Sequence, residues 1–115
     1  MEKLSRLTRY TVWMCNYPKA PENKIPEISR NIDEVYREAL QHFDSENIIC
    51  IGDSVGGALP ITLTQRLIEN KIRLPDKLFL ISPIIDPSFK NPKIDLIDKT
   101  DIVCFCSLNV KENTY

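Results

Sequence analysis

Ile48-Ile49-Cys50-Ile51-Gly52-Asp53-Ser54-Val55-Gly56-Gly57 constrains the chain more than any other stretch. Four apolar residues run into Gly-x-Ser-x-Gly, and a mostly apolar segment follows. The order predicted is strand, sharp turn, helix, with Ser54 at the apex. Such a turn crowds the residues two before and two after the serine, so Gly52 and Gly56 are expected to be needed for their missing Cβ atoms. The helix that follows turns its free N–H groups and positive dipole end back toward the serine. The Val55 N–H is then placed to donate to an oxyanion growing on a carbonyl attacked by Ser54. Asp53 is expected to brace the turn by hydrogen bonding nearby backbone, and Gly57 extends the small-residue block. The alternative is a Gly-rich strand-to-helix loop that holds an anion. A nucleotide phosphate loop is excluded, because no Gly-Lys-Ser/Thr follows.

The 115 residues suffice for one domain, expected over 1–115, with a modest core. Net charge is −1 with no basic block, so neither nucleic acid nor an anionic membrane surface is implied as partner. Apolar runs fall far short of a membrane span, and the N-terminus lacks a signal-peptide apolar region. A cytoplasmic location is the expectation. Cys15 and Cys50 fall in apolar stretches, where free cysteine packs as a small hydrophobe. Cys104-Phe105-Cys106 has the wrong spacing for a zinc finger. With one histidine in the chain, His42, no metal site is expected. No other cofactor is expected either.

The remainder reads as alternating helix and strand. Residues 2–9 form the end of an amphipathic helix with Leu4 and Leu7 on one side. Tyr10 to Cys15 is rich in β-branched and aromatic residues and is predicted to be a buried strand. A loop with Pro18 and Pro21 follows. Pro26 to Phe43 is predicted to be a helix, with Pro26 in its first turn and Ile28, Ile32, Val35, Tyr36, Ala39 and Phe43 as its buried stripe. His42 near its end is read as an ordinary exposed histidine, favoured at a helix C-terminus. The elbow strand covers 47–51. The next helix covers 55–70, with Leu59, Leu63, Leu67 and Ile68 packed and Pro60 loosening it near the serine. Lys77 to Ser82 is a third strand, closed by Pro83. This alternation predicts an α/β fold with a mostly parallel sheet and helices on its faces. Asp86-Pro87 and Asn91-Pro92 are read as turns, and 101–108 as a short strand or a docked helix.

Three landmarks carry a family resemblance. Asn16-Tyr17-Pro18-Lys19-Ala20-Pro21-Glu22 resembles a "D-Y-R-L-A-P-E" loop. Gly52-Asp53-Ser54-Val55-Gly56-Gly57 resembles a "G-D-S-A-G-G" nucleophile elbow. Ser82-Pro83-Ile84-Ile85-Asp86 resembles an "S-P-W-x-D" turn. Their order and spacing are similar to those of the hormone-sensitive-lipase-like branch of the α/β-hydrolases, often called α/β-hydrolase fold-3. From Tyr10 to Pro87 the chain resembles that branch. The resemblance implies a carboxylic ester hydrolase of the esterase/lipase type acting on a small ester, with Ser54 as nucleophile and the Val55 N–H as one oxyanion donor.

The chain also departs from that pattern. The branch carries an upstream His-Gly-Gly-Gly loop and a later acid and histidine, and none of these is found between Met1 and Tyr115. Asp86 is a candidate substitute acid by its place after the third strand. By resemblance, a strand is missing between 10–15 and 47–51. The expectation is therefore a central fragment of a hydrolase, weak or inactive by itself, with open sheet edges that self-associate. The competing expectation is a non-catalytic remnant or interaction module. A Gly-Asp-Ser hydrolase of the flavodoxin-like class fits less well, because its block belongs near the N-terminus with an Asp-x-x-His pair near the end.

Overall fold

In the computed structural model, residues 2–19, 22–86, 90 and 92–93 are described. Helix α1 (Glu2–Thr8) leads to α2 (Ile25–His42), a short 3-10 turn (Ser45–Asn47), strand β1 (Ile49–Asp53), helix α3 (Val55–Glu69) and strand β2 (Lys77–Ile81). The chain divides into two compact units, Met1–Ile84 and Ile85–Tyr115. All of these elements lie in the first.

The two strands pair in parallel, with Ile49 beside Lys77, Ile51 beside Phe79 and Asp53 beside Ile81. Helix α3 makes the crossover between them. This is the β-α-β unit that the alternating pattern predicts, and the α/β class with a parallel sheet holds. The expected strand at 10–15 does not form. A strand needs a neighbouring ladder for its N–H and C=O groups, and among the described residues the sheet is two strands wide. The segment runs without regular structure, and its aromatic residue goes elsewhere. Trp13 packs edge-on against His42 and Phe43 at the end of α2, both at ring-centre distances of 5.9 Å.

The core lies between α2 and α3. Ile32 and Tyr36 from α2 meet Leu63 and Leu67 from α3, with Tyr17, Ile48, Cys50, Leu59 and Ile72 around them. The stripe spacing on α2 predicts Ile32 and Tyr36 correctly, whereas Phe43 is the C-cap and is exposed. Ile68 is 59% exposed, contrary to expectation. It follows Leu67 by one residue, about 100° round the helix, and so leaves the face set by the i, i+4 series 59, 63 and 67. Leu7 is exposed as well, and α1 buries nothing.

A polar clamp joins the two long helices. Arg66 on α3 donates through Nε and Nη2 to both carboxylate oxygens of Asp33 on α2, at 2.6–3.0 Å. The Tyr36 hydroxyl donates to the Arg73 carbonyl at 2.8 Å, which satisfies its one polar atom inside the core. At the start of α2, the Glu27 carboxylate accepts the Lys24 N–H at 2.8 Å. At the end of α3, the Lys71 N–H donates to Ile68 and the Ile72 N–H to Leu67, with Lys71 left-handed at φ 53°. That is a Schellman closure with lysine where glycine is usual.

Pro92, expected in a turn with Asn91, lies in a turn together with Lys93. The readings on Pro87, Asn91 and 101–108, and the residues Cys104 and Cys106, lie outside the described residues. No helix among the described residues is long and apolar enough to cross a membrane.

Candidate active site

Gly52 and Asp53 end β1, Ser54 stands alone at the apex, and Val55 opens α3. The structure therefore brings Gly52, Asp53, Ser54, Val55, Gly56 and Gly57 together in one turn. Ser54 has φ 56° and ψ −121°, a conformation that side chains rarely adopt. It is exposed, as is Val55. As the first residue of α3, Val55 has an N–H with no partner four residues back, so it is available as a donor beside the serine.

Backbone holds this conformation. The Ser54 N–H donates to the Ile81 carbonyl at 2.9 Å, which fixes the apex to the end of β2. The Ser54 carbonyl accepts from Gly57 N–H at 3.0 Å and from Ile84 N–H at 3.2 Å. The expected brace from Asp53 is absent. Among the described residues its carboxylate makes no hydrogen bond, and β2, α3 and the Pro83 segment hold the turn instead. The Ser82-Pro83-Ile84 stretch thus has a structural task that its sequence did not reveal.

The glycines divide unequally. A Cβ on Gly52 would lie 2.0 Å from the Gly56 carbonyl oxygen and 2.8 Å from the Gly57 Cα. A Cβ on Gly57 would lie 3.0 Å from the Pro83 Cβ. A Cβ on Gly56 would meet only the Tyr17 hydroxyl, at an ordinary 3.8 Å. The crowding expected at Gly56 is therefore absent: its carbonyl is the obstacle, and the missing side chain is that of Gly52. Pro60 helps to explain why that carbonyl can turn there. Proline has no N–H to hold the Gly56 carbonyl in the helical ladder, yet α3 continues through it.

Tyr17, Ile81, Pro83 and Ile84 are the neighbours that sequence reasoning did not assign to the site. Tyr17 and Pro83 sit in the two loops flagged as family landmarks, which was the available signal. Among the described residues no side chain hydrogen bonds the Ser54 Oγ. His42 ends α2 ahead of β1, whereas Ser54 follows its last residue. The whole of β1, about 16 Å long at a strand's rise, lies between them in the chain. His42 is instead 3.1 Å from Glu38. Asp86 belongs to the second unit and is exposed.

Other nucleophiles are muted. Burial pushes the Cys50 thiol up to about 11, with the neighbouring Cys15 adding to it, and burial also raises Cys15. Both are protonated at neutral pH and are poor attacking groups. An open groove between residues 13–16 and α2, lined in part by Trp13, Cys15, Asn31 and Glu38, shares no residue with the elbow. Among the described residues no group of three or more His, Cys, Asp or Glu side chains is placed to hold a metal.

A serine at a strained apex between a parallel strand and the helix crossing to the next strand defines the architecture of an α/β-hydrolase. The profile of the alpha/beta hydrolase fold family matches residues 1–111, and the chain belongs to that family. It is 33% identical over 102 residues to an esterase of Acinetobacter venetianus strain RAG-1, across 88% of this chain and 34% of that protein. It is also similar to the crystal structure of a candidate esterase from Staphylococcus aureus, at 38% identity and a TM-score of 0.72, across 76% of this chain and 30% of that one. The chain spans about a third of the length of these relatives.

Proposed function

We propose that this chain carries the nucleophile segment of a serine carboxylic ester hydrolase of the esterase/lipase type. Ser54 is the nucleophile and the Val55 N–H is one oxyanion donor. The observation that carries this reading is the Ser54 backbone, at φ 56° and ψ −121° over a glycine that no side chain can replace. A fold rarely maintains such strain at an exposed residue without a use for it. In the reaction, the Oγ attacks the ester carbonyl and its proton passes to a base. The tetrahedral oxyanion is held by N–H donors at the α3 terminus, the C–O bond to the alcohol breaks as the base returns the proton to it, and water then cleaves the acyl-enzyme to the acid and free Ser54. A small ester substrate and a cytoplasmic setting belong to the same proposal, and Asp86 is its secondary candidate acid.

A fluorophosphonate probe tests the assignment. Covalent labelling that maps to Ser54 and disappears in Ser54→Ala supports it. Absence of labelling in protein with a cooperative unfolding transition counts against it. A second reading has its own observation. The single histidine, His42, lies at the wrong end of β1 to serve as base, so the isolated chain would bind rather than turn over esters. Labelling without ester hydrolysis would favour a nucleophile that lacks its base. Neither labelling nor hydrolysis would favour a non-catalytic module.

A further inference from the structure

Ser54 is held from one side by β2 and the residues that follow it. The Ile81 carbonyl accepts the Ser54 N–H, the Ile84 N–H donates to the Ser54 carbonyl, and Pro83 lies where a Gly57 side chain would be. Gly56 and Gly57 are successive residues of α3, so the directions of their absent side chains differ by about 100°. Gly56 therefore faces a second side of the same turn. A Cβ there would meet the Tyr17 hydroxyl at 3.8 Å, and no atom of β2 or Pro83.

Tyr17 is a fixed point on that second side because of where its ring sits. It is half-buried and packs against the Ile32, Tyr36, Leu63 and Leu67 core. Pro18 behind it disfavours helical backbone at Tyr17 and so restricts the loop that carries it. A phenol is rigid, with two side-chain torsions, so a seated ring also seats its hydroxyl. Among the described residues that hydroxyl has no hydrogen-bond partner, and what it offers α3 is contact. Tyr17 thus spans from the α2–α3 core to the first turn of α3.

We propose that Tyr17 is a positioning residue for Ser54. Its hydroxyl end limits movement of the first turn of α3, and with it movement of the Ser54 apex and the Val55 N–H. The inference rests on Ser54 being the nucleophile. A strained residue keeps its conformation only while its surroundings enforce it. Pro83 and Tyr17 enforce it from two sides of one helical turn.

The rate of fluorophosphonate labelling at Ser54, resolved into reagent affinity KI and maximal rate kinact, tests this on the full chain. Tyr17→Phe keeps the ring and its core packing and removes the one atom that faces Gly56. Its kinact should fall at least about five-fold with KI unchanged, because the nucleophile is displaced and the reagent's contacts are not. Tyr17→Phe/Gly56→Ala sets a methyl group into the space between the two residues, and kinact should return toward the parent value. Circular dichroism confirms that each variant is folded. A role in stability alone would lower the denaturant midpoint of Tyr17→Phe and leave kinact of the folded protein unchanged. Labelled parent with the same kinact in Tyr17→Phe would therefore overturn the proposal and leave Ser54 as the nucleophile. A loss that Gly56→Ala does not repair would overturn the contact, and the proposal with it. A folded parent that is not labelled would remove the Ser54 reading and leave Tyr17 nothing to position.

Discussion

Ser54 holds a backbone conformation that costs about 1–3 kcal/mol for a residue with a side chain. Three backbone hydrogen bonds, from β2, α3 and the Pro83 segment, maintain it against that cost. Gly52 permits them by leaving room for the Gly56 carbonyl. This makes the glycines separable by experiment. Gly52→Ala should unfold the chain or rebuild the elbow, because backbone atoms at 2.0 and 2.6 Å cannot yield as a flexible side chain would. Gly56→Ala should be neutral or stabilising by up to about 1 kcal/mol, since alanine is the better helix former. Urea denaturation of the two variants makes the comparison. A tolerated Gly52→Ala, or a severe loss in Gly56→Ala, would contradict the elbow geometry. The serine apex and the need for Gly52 were legible in the sequence, because both belong to one local turn. The freedom at Gly56 and the contact of Gly57 with Pro83 were not. Gly57 meets Pro83 in the loop after β2, and a Cβ on Gly56 would meet only Tyr17 from the loop before α2, so both depend on segments distant in the chain, and spacing within a ten-residue motif carries no such information.

At the scale of elements, α2, α3 and β2 follow from periodicity and from the proline and glycine punctuation around them. Residues 10–15 do not. Tyr-Thr-Val-Trp-Met-Cys has the composition of a strand, but composition cannot supply the ladder partner a strand requires. The C-terminus of α3 is a closed Schellman motif. Lys71 occupies its left-handed position at φ 53°, where a Cβ is unfavourable. Ile72 beyond it packs against the core, so the turn is fixed and cannot relax. Lys71→Gly should therefore stabilise the chain by about 0.5–1 kcal/mol, net of the extra freedom glycine has when unfolded. Lys71→Ala keeps the Cβ and should give little of this gain. Thermal or denaturant midpoints for the pair decide it, and equal midpoints would remove the left-handed strain as the cause.

For the molecule as far as its described residues go, stability rests on one small core placed on one side of a two-stranded sheet, and two groups there resist ionisation. Burial raises Cys50 from 9.0 to about 11, and it raises Tyr36 from 10.0 to about 12 with Cys50 adding a smaller push. The unfolded chain gives up these protons at the ordinary values, whereas the folded chain retains them. Across that interval the folded state binds more protons, so stability falls as pH rises. The contribution is complete below about pH 9 and is lost as pH climbs through the folded value, near 11 for Cys50 and near 12 for Tyr36. Denaturant midpoints should hold steady through neutral pH and decline from the thiol range upward. Cys50→Ala will weaken the core at every pH by removing packed sulfur, so its absolute stability is not the informative quantity. The informative quantity is the slope. Cys15 is raised from the same ordinary value, so both thiols must go: in Cys15→Ala/Cys50→Ala the decline should start about one pH unit later, at the ordinary tyrosine value, and should be shallower until Tyr36 titrates. An unchanged onset in this double variant would mean that the alkaline loss comes from repulsion among surface charges rather than from protons held by the thiols.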